Sequence, residues 1–301
     1  MRFPLIAFLF FFFSSYFSHA QYTETINSNR PGNSQGAFSV GTGVLQLEAG
    51  AILGRDEHSI LNTETDLWGV EYSLRYGVLF EQLEVNIMGS YLDQTTSYIT
   101  GSGIRERHLS NFDANAVGLK YLVFDPYKKG VVGREVNLYS WKANQKFDWS
   151  QLIPAVSLYA GVNFSPQDNN PFLSPGESQY TPRFAVITQN NWAGGWVFVL
   201  NIIADKIGYE FPTYMGIATL THSFNPKFAA FGEFQGIMSD IYSDEIVRAG
   251  LAYLFHKNFQ VDASGLLNFK DTPSRWQVAF GLSYRLDMHK KEEFLDTETE
   301  L

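Results

Sequence analysis

The chain has 301 residues, 31 of them acidic against 22 basic, for a formal charge of −9, and it has no cysteine. The acidic balance excludes a nucleic-acid binder, whose phosphate contacts need a basic surface. The missing cysteine excludes a disulfide framework, a thiolate metal site and a lipid-modified N-terminus. Aromatic residues make up 16% and glycine numbers 25, a mixture that suits apolar and polar residues alternating along strands.

The beginning sets the compartment. "MRFPLIAFLFFFFSSYFSHA" has a positive start at Arg2, an apolar run from Phe3 to Phe13 and small residues Ser18 and Ala20. That is the pattern of a secretory signal peptide over 1–20, cleaved after Ala20. Its apolar run is shorter than the roughly 20 residues of a helical membrane span. Residues 21–43 are polar and glycine-rich without sustained periodicity, and read as an irregular N-terminal segment.

From Val44 onward, strand-like runs alternate with turn signals. The expected strands are 44–53, 67–80, 83–92, 114–124, 151–164, 180–190, 195–204, 213–224, 228–238, 245–255, 259–269 and 274–287. In "LWGVEYSLRYGVLF" (67–80), Trp68, Val70, Tyr72, Leu74, Tyr76, Val78 and Phe80 share one face. Gly69, Glu71, Ser73, Arg75 and Gly77 share the other. "RWQVAFGLSYRL" (275–286) repeats the division. Many runs reach the 9–11 residues of a tilted membrane strand, where soluble strands average about five or six. The aromatic face therefore meets lipid and the polar face lines a lumen.

Connections follow the same logic. Even connections are short at 81–82, 191–195, 225–227 and 256–258, whereas odd ones are longer or more polar at 54–66, 93–113, 165–179, 205–212, 239–244 and 270–273. Outer-membrane barrels have short periplasmic turns and longer external loops. The long even connection 125–150 breaks the rule. Phe224, Phe228, Phe255, Phe259, Trp192 and Trp196 gather at the short turns, as an interfacial aromatic girdle does. "AFGLSYRL" at the end of the last strand looks like the C-terminal signal read by barrel assembly machinery. The charged tail 288–301 follows as a periplasmic extension. No two histidines have metal-ligand spacing and no strand carries a nucleophile with an aligned His, so neither a catalytic nor a metal site is expected, nor any cofactor.

"NSNRPG" (27–32), "GTGVLQLEAG" (41–50), "GLKYLVFDP" (118–126) and "LIPAVSLYAGVNF" (152–164) resemble an outer-membrane family labelled for a meta-pathway of phenol degradation. The resemblance covers most of the mature chain. Members often carry Asp before the Arg-Pro pair, where this chain has Asn29. It implies a β-barrel passing small, hydrophobic or aromatic compounds.

By strand parity Glu48, Glu71, Glu84, Glu233 and Asp262 point inward, as do Arg75, Lys120, Arg183, Arg248 and Arg285. These are the expected pore-lining residues. The plain structural alternative is that they only pair with one another to satisfy buried charge; the functional one is that they set selectivity. The expectation is thus an all-β, antiparallel, up-and-down transmembrane barrel of about twelve strands over 44–287, in the cell outer membrane, surrounded by lipid. Its expected function is passive transport of a small solute. The rival reading is a non-conducting scaffold, assembly partner or surface receptor, with 127–150 docking a periplasmic protein. Residues 22–40 are expected to fold back into or beneath the lumen as a plug, with Pro31 and Gly32 turning the chain and Arg30 pairing with Glu48, Glu71 or Glu84; the alternative is a disordered leader.

Overall fold

Alternation with period two is what a strand shows when its faces meet different media, and here it recurs twelve times. The computed structural model describes residues 25–101, 103–128, 149–167, 169–174 and 176–289. The expected signal, nearly all of 127–150 and the tail from 290 lie outside them. The strands are β1 (Val44–His58), β2 (Thr63–Gly77), β3 (Leu83–Thr100), β4 (Gly103–Phe124), β5 (Ala155–Phe164) and β6 (Tyr180–Trp192). They continue as β7 (Trp196–Asp205), β8 (Thr213–Asn225), β9 (Phe228–Met238), β10 (Asp244–His256), β11 (Phe259–Asn268) and β12 (Ser274–Asp287). Each pairs antiparallel with its sequence neighbours, and the sheet closes. The seam joins β1 to β12 from Val44↔Asp287 to Glu57↔Ser274. Closure satisfies every strand's backbone inside the wall, which lipid demands because it offers no hydrogen bonds.

The outer face is apolar over the middle of the strands. On β2, Trp68, Val70 and Tyr76 are exposed while Gly69, Arg75 and Gly77 are buried. On β12, Trp276, Phe280, Leu282 and Tyr284 are exposed while Ser283 and Arg285 are buried. This is a soluble protein turned inside out, and it settles what each face meets: the aromatic faces stand in outer-membrane lipid. Rings line the short-turn end in a ladder. Trp196 stacks on His222 at 4.2 Å, Phe224 lies 5.8 Å from Phe228, and Phe255 lies 6.0 Å from Phe259. Amphipathic rings collect at this level because headgroups solvate one edge and acyl chains the other.

Two expected loops are corrected. Residues 54–66 and 93–113 are mostly strand: β1–β2 turns only at 59–62, and β3 and β4 run on to Thr100 and from Gly103. Alternation reports a change of medium, not pairing itself. Beyond the lipid both faces are wet, and the ladder continues on polar cross-strand contacts such as Arg55–Asp66 at 2.6 Å and Thr65–Thr96 at 2.9 Å. At the other end β2 stops at Gly77, not at residue 80. Val78 and Phe80 belong to a turn in which Leu79 has φ 58°.

Candidate functional site

Residues 25–40 run as irregular chain among side chains of the inner face. Such a chain offers its backbone groups no ladder, so each buried N–H and C=O needs a side-chain partner. The wall supplies them. Asn33 and Ser34 donate their amide N–H to the Glu233 carboxylate, at 2.9 and 3.2 Å to Oε2. Gln35 N–H donates to Asn201 Oδ1 at 2.7 Å while Asn201 Nδ2 donates back to the Gln35 carbonyl at 2.9 Å. Ala37 N–H donates to Gln189 Oε1 at 2.9 Å, and Ser157 Oγ donates to the Ala37 carbonyl at 2.6 Å. Lys120 Nζ donates to the carbonyls of Gly36 and Phe38, at 2.9 and 3.1 Å. Ala37 also fills an apolar cluster with Leu122, Tyr159, Ile187 and Ile217. The segment then joins the wall by a close approach: a Cβ on Gly77 would meet the Gly41 carbonyl oxygen at 1.7 Å, so only glycine fits there.

Arg30 anchors the bend. Its guanidinium lies against Gly50 and Gly281, which face each other across the β1–β12 seam. A Cβ on either would come within 2.2 Å of it. Nη1 reaches Glu71 at 3.1 Å and Nη2 reaches Asp262 at 3.3 Å. Of the three expected partners, Glu71 is met. Glu48 and Glu84 are not, because both face Arg75, at 3.5 and 2.9 Å. Glu48 still takes part by accepting the Asn29 N–H at 3.2 Å. Gly32 packs against Glu233, and Pro31 lies between Arg30 and Gly32 near Arg248.

The ten charged residues expected on the inner face all lie there, and they pair mostly with neighbours on the next strand, not across the lumen. Glu84 takes Arg75 on one side and Lys120 at 3.3 Å on the other, all three without solvent exposure. Arg248 holds Glu233. Arg183 reaches Asp205 at 3.4 Å, an acid that parity reasoning had not singled out. Arg285 stands at the short-turn mouth of the barrel, donating to Asn258 Oδ1 and to the Thr25 carbonyl, both at 3.1 Å.

Against the segment, on the side away from the short turns, is a cavity of about 410 Å³. Asn29, Arg30, Asn33 and Gln35 form its floor; Glu71, Ser73, Ser90 and Asp113 line one wall. Arg183, Asn201, Asp205 and Met215 stand opposite. Among the described residues no group of three His, Asp or Glu side chains is arranged to hold a metal.

A family model described as "Putative MetA-pathway of phenol degradation" matches residues 28–286. The chain belongs to that family. Among solved structures, an outer membrane channel from Pseudomonas putida F1 is 9% identical, covering 87% of this chain and 100% of that one with a TM-score of 0.54. The translocator domain of the autotransporter NalP from Neisseria meningitidis is 12% identical over 82% of this chain and 89% of its own, with a TM-score of 0.45. The first is a likeness of fold. A curated protein, "Probable polyketide synthase 29" of Dictyostelium discoideum, is 24% identical over 128 residues, 40% of this chain and 4% of that protein. So small a share of a synthase brings none of its chemistry to a membrane barrel. In this family member the matched span begins at Ser28, so it takes in the Asn-Arg-Pro-Gly bend as well as the strands.

Sequence reasoning missed the amides. Gln46, Gln189, Asn201 and Gln260 each bond the backbone or side chains of the N-terminal segment or its bracing acids. A signal existed: a buried strand face rich in Asn and Gln has donors and acceptors that only an irregular chain would use up.

Proposed function

We propose that this outer-membrane barrel is a passive channel for a small solute, and that residues 25–40 are its displaceable plug. The observation that carries the reading is the cavity of about 410 Å³ seated directly on that segment. A chain meant only to fill a lumen would leave no such space; a chain held by side-chain hydrogen bonds instead of a ladder can be exchanged for water bond by bond. Twelve strands enclose more than the eight whose side chains fill a barrel and fewer than the sixteen of an open porin, so an internal segment of this size suffices to close it. The family description supports an aromatic compound as cargo.

Single-channel conductance and solute-driven liposome swelling test this with the full mature chain and with a deletion of 22–36. The deletion is expected to raise conductance and aromatic-solute flux while heat-modifiable mobility stays that of a folded barrel. A folded deletion variant with unchanged conductance and flux overturns the plug, and no flux in either form overturns the channel.

A further inference from the structure

The wall closes within the lipid band but not along its whole height. β5 meets β4 only as far as Ala116↔Asn163, whereas β4 runs back to Gly103 paired with β3 alone, out to Thr100↔Gly103. This stretch stands at the end away from the short turns, at and beyond the level of the Arg55–Asp66 pair, where both faces are wet. In an antiparallel ladder successive residues turn their N–H and C=O to opposite sides. Phe112 turns its carbonyl to the β5 side, where Asn170 Nδ2 donates to it at 2.6 Å. With no bulge between Phe112 and Gly103, Ser110, His108, Glu106 and Ile104 turn the same way. None of their backbone groups meets a partner on that side among the described residues.

An open edge of this kind accepts another strand, because its N–H and C=O groups are already spaced for a ladder. The side chains decide which strand. Arg105 and Arg107 share one face of β4, opposite Tyr98 and Thr96. Neither forms an ion pair among the described residues, whereas His108 on the other face meets Asp93 at 3.4 Å. An added strand sets its own residues opposite the two arginines in non-hydrogen-bonded pairs, where side chains approach most closely. The tip is apolar. Ile104 lies opposite Ile99, whose N–H donates to the Asn62 carbonyl at 3.0 Å, and Ile60, Leu61, Ile99 and Ile104 are each more than half exposed. We infer that the edge of β4 over 104–110 is a docking site for a partner polypeptide. The partner adds as an antiparallel strand, with carboxylates opposite Arg105 and Arg107 and an apolar residue opposite Ile104. A second copy of this chain is not that partner: two barrels upright in one membrane run their β4 strands the same way, which is not antiparallel. The docking site is independent of the channel reading.

An end-blocked, labelled peptide, Thr-Val-Thr-Glu-Thr-Glu-Val, places its glutamates opposite Arg107 and Arg105 and its last valine opposite Ile104. Fluorescence anisotropy with the full mature chain in nanodiscs is expected to show it bound about tenfold tighter than the same peptide with lysines for glutamates. Methylating the three threonine nitrogens keeps every charge and removes three ladder bonds, so binding should fall by at least about tenfold. Glu106→Pro takes an N–H from the open edge and none from the ladder to β3. It should weaken the peptide by a similar factor while heat-modifiable mobility stays that of a folded barrel. Arg105→Glu combined with Arg107→Glu should reverse the preference to the lysine peptide. Equal binding of the methylated peptide, or a folded Glu106→Pro barrel that binds as the parent does, overturns strand addition. No binding of the glutamate peptide at about 1 mM overturns the site, as does lipopolysaccharide held by the two arginines with the peptide left free.

Discussion

Replacing Arg30 with alanine isolates what holds the N-terminal segment in place. The side chain of Asp262 has no solvent exposure and its Oδ2 is already without a partner. Losing Nη2 leaves that carboxylate buried with no cation as long as the segment stays seated. A hydrogen bond to a buried charged group contributes about 1.5–3 kcal/mol. Glu71 is 46% exposed, so water screens it and its share is about 0–1 kcal/mol. When the segment leaves, both acids are hydrated and the loss disappears. The substitution therefore favours the unseated state by roughly 1.5–4 kcal/mol, or about 10- to 1,000-fold in population. The chain has no cysteine of its own, so Ser34→Cys, at a buried and nearly isosteric position, reports opening through its reaction with a maleimide in liposomes. Labelling in the Arg30→Ala background should accelerate by the stated factor, and Arg30→Lys should fall between, because a point charge cannot fork to both acids. A labelling rate within about threefold of the parent in Arg30→Ala would refute the anchoring role, since the lowest expected value is about 1.5 kcal/mol, roughly tenfold.

The two faces of β2 offer a second check: Leu74→Arg, between Val70 and Tyr76 on the lipid face, should destabilise the barrel by about 2–4 kcal/mol in urea unfolding from vesicles. Ser73→Arg, which faces the cavity, should cost well under half as much, and equal losses would mean the faces are reversed. A third concerns pH outside the membrane. Burial first, then the hydrogen bond it donates to Asp244, push the Tyr242 phenol up to about 12. A raised folded pKa means the neutral form is favoured by folding, so this contribution is intact below the unfolded value of about 10 and is lost as pH rises towards 12. Hydrogen exchange of the 239–243 connection should therefore quicken between pH 10 and 12, and Tyr242→Phe should abolish that step.

The sequence by itself determined the wall. Alternation of large apolar with small or charged residues arises from one face in lipid and one in a lumen, and it is local, so β2, β9 and β12 can be read from their own residues. It also placed Glu84 and Lys120 on the inner face of neighbouring strands, where their pairing follows from register. What the sequence left open was everything that depends on closure. Arg30 was matched to acids on β1, β2 and β3 because those come next along the chain. Once β1 pairs with β12, β11 is also near, and Asp262 becomes as close as Glu71 although 232 residues away. Asp205 and the amides Gln189 and Asn201 were equally hidden, since a single Asn on a strand says nothing of which backbone group it will meet. The extensions of β3 and β4 were hidden for the opposite reason: once both faces are wet the alternation fades while the backbone ladder persists. Periodicity records the medium each face meets; contacts between distant strands and an irregular segment are decided only when the barrel shuts around it.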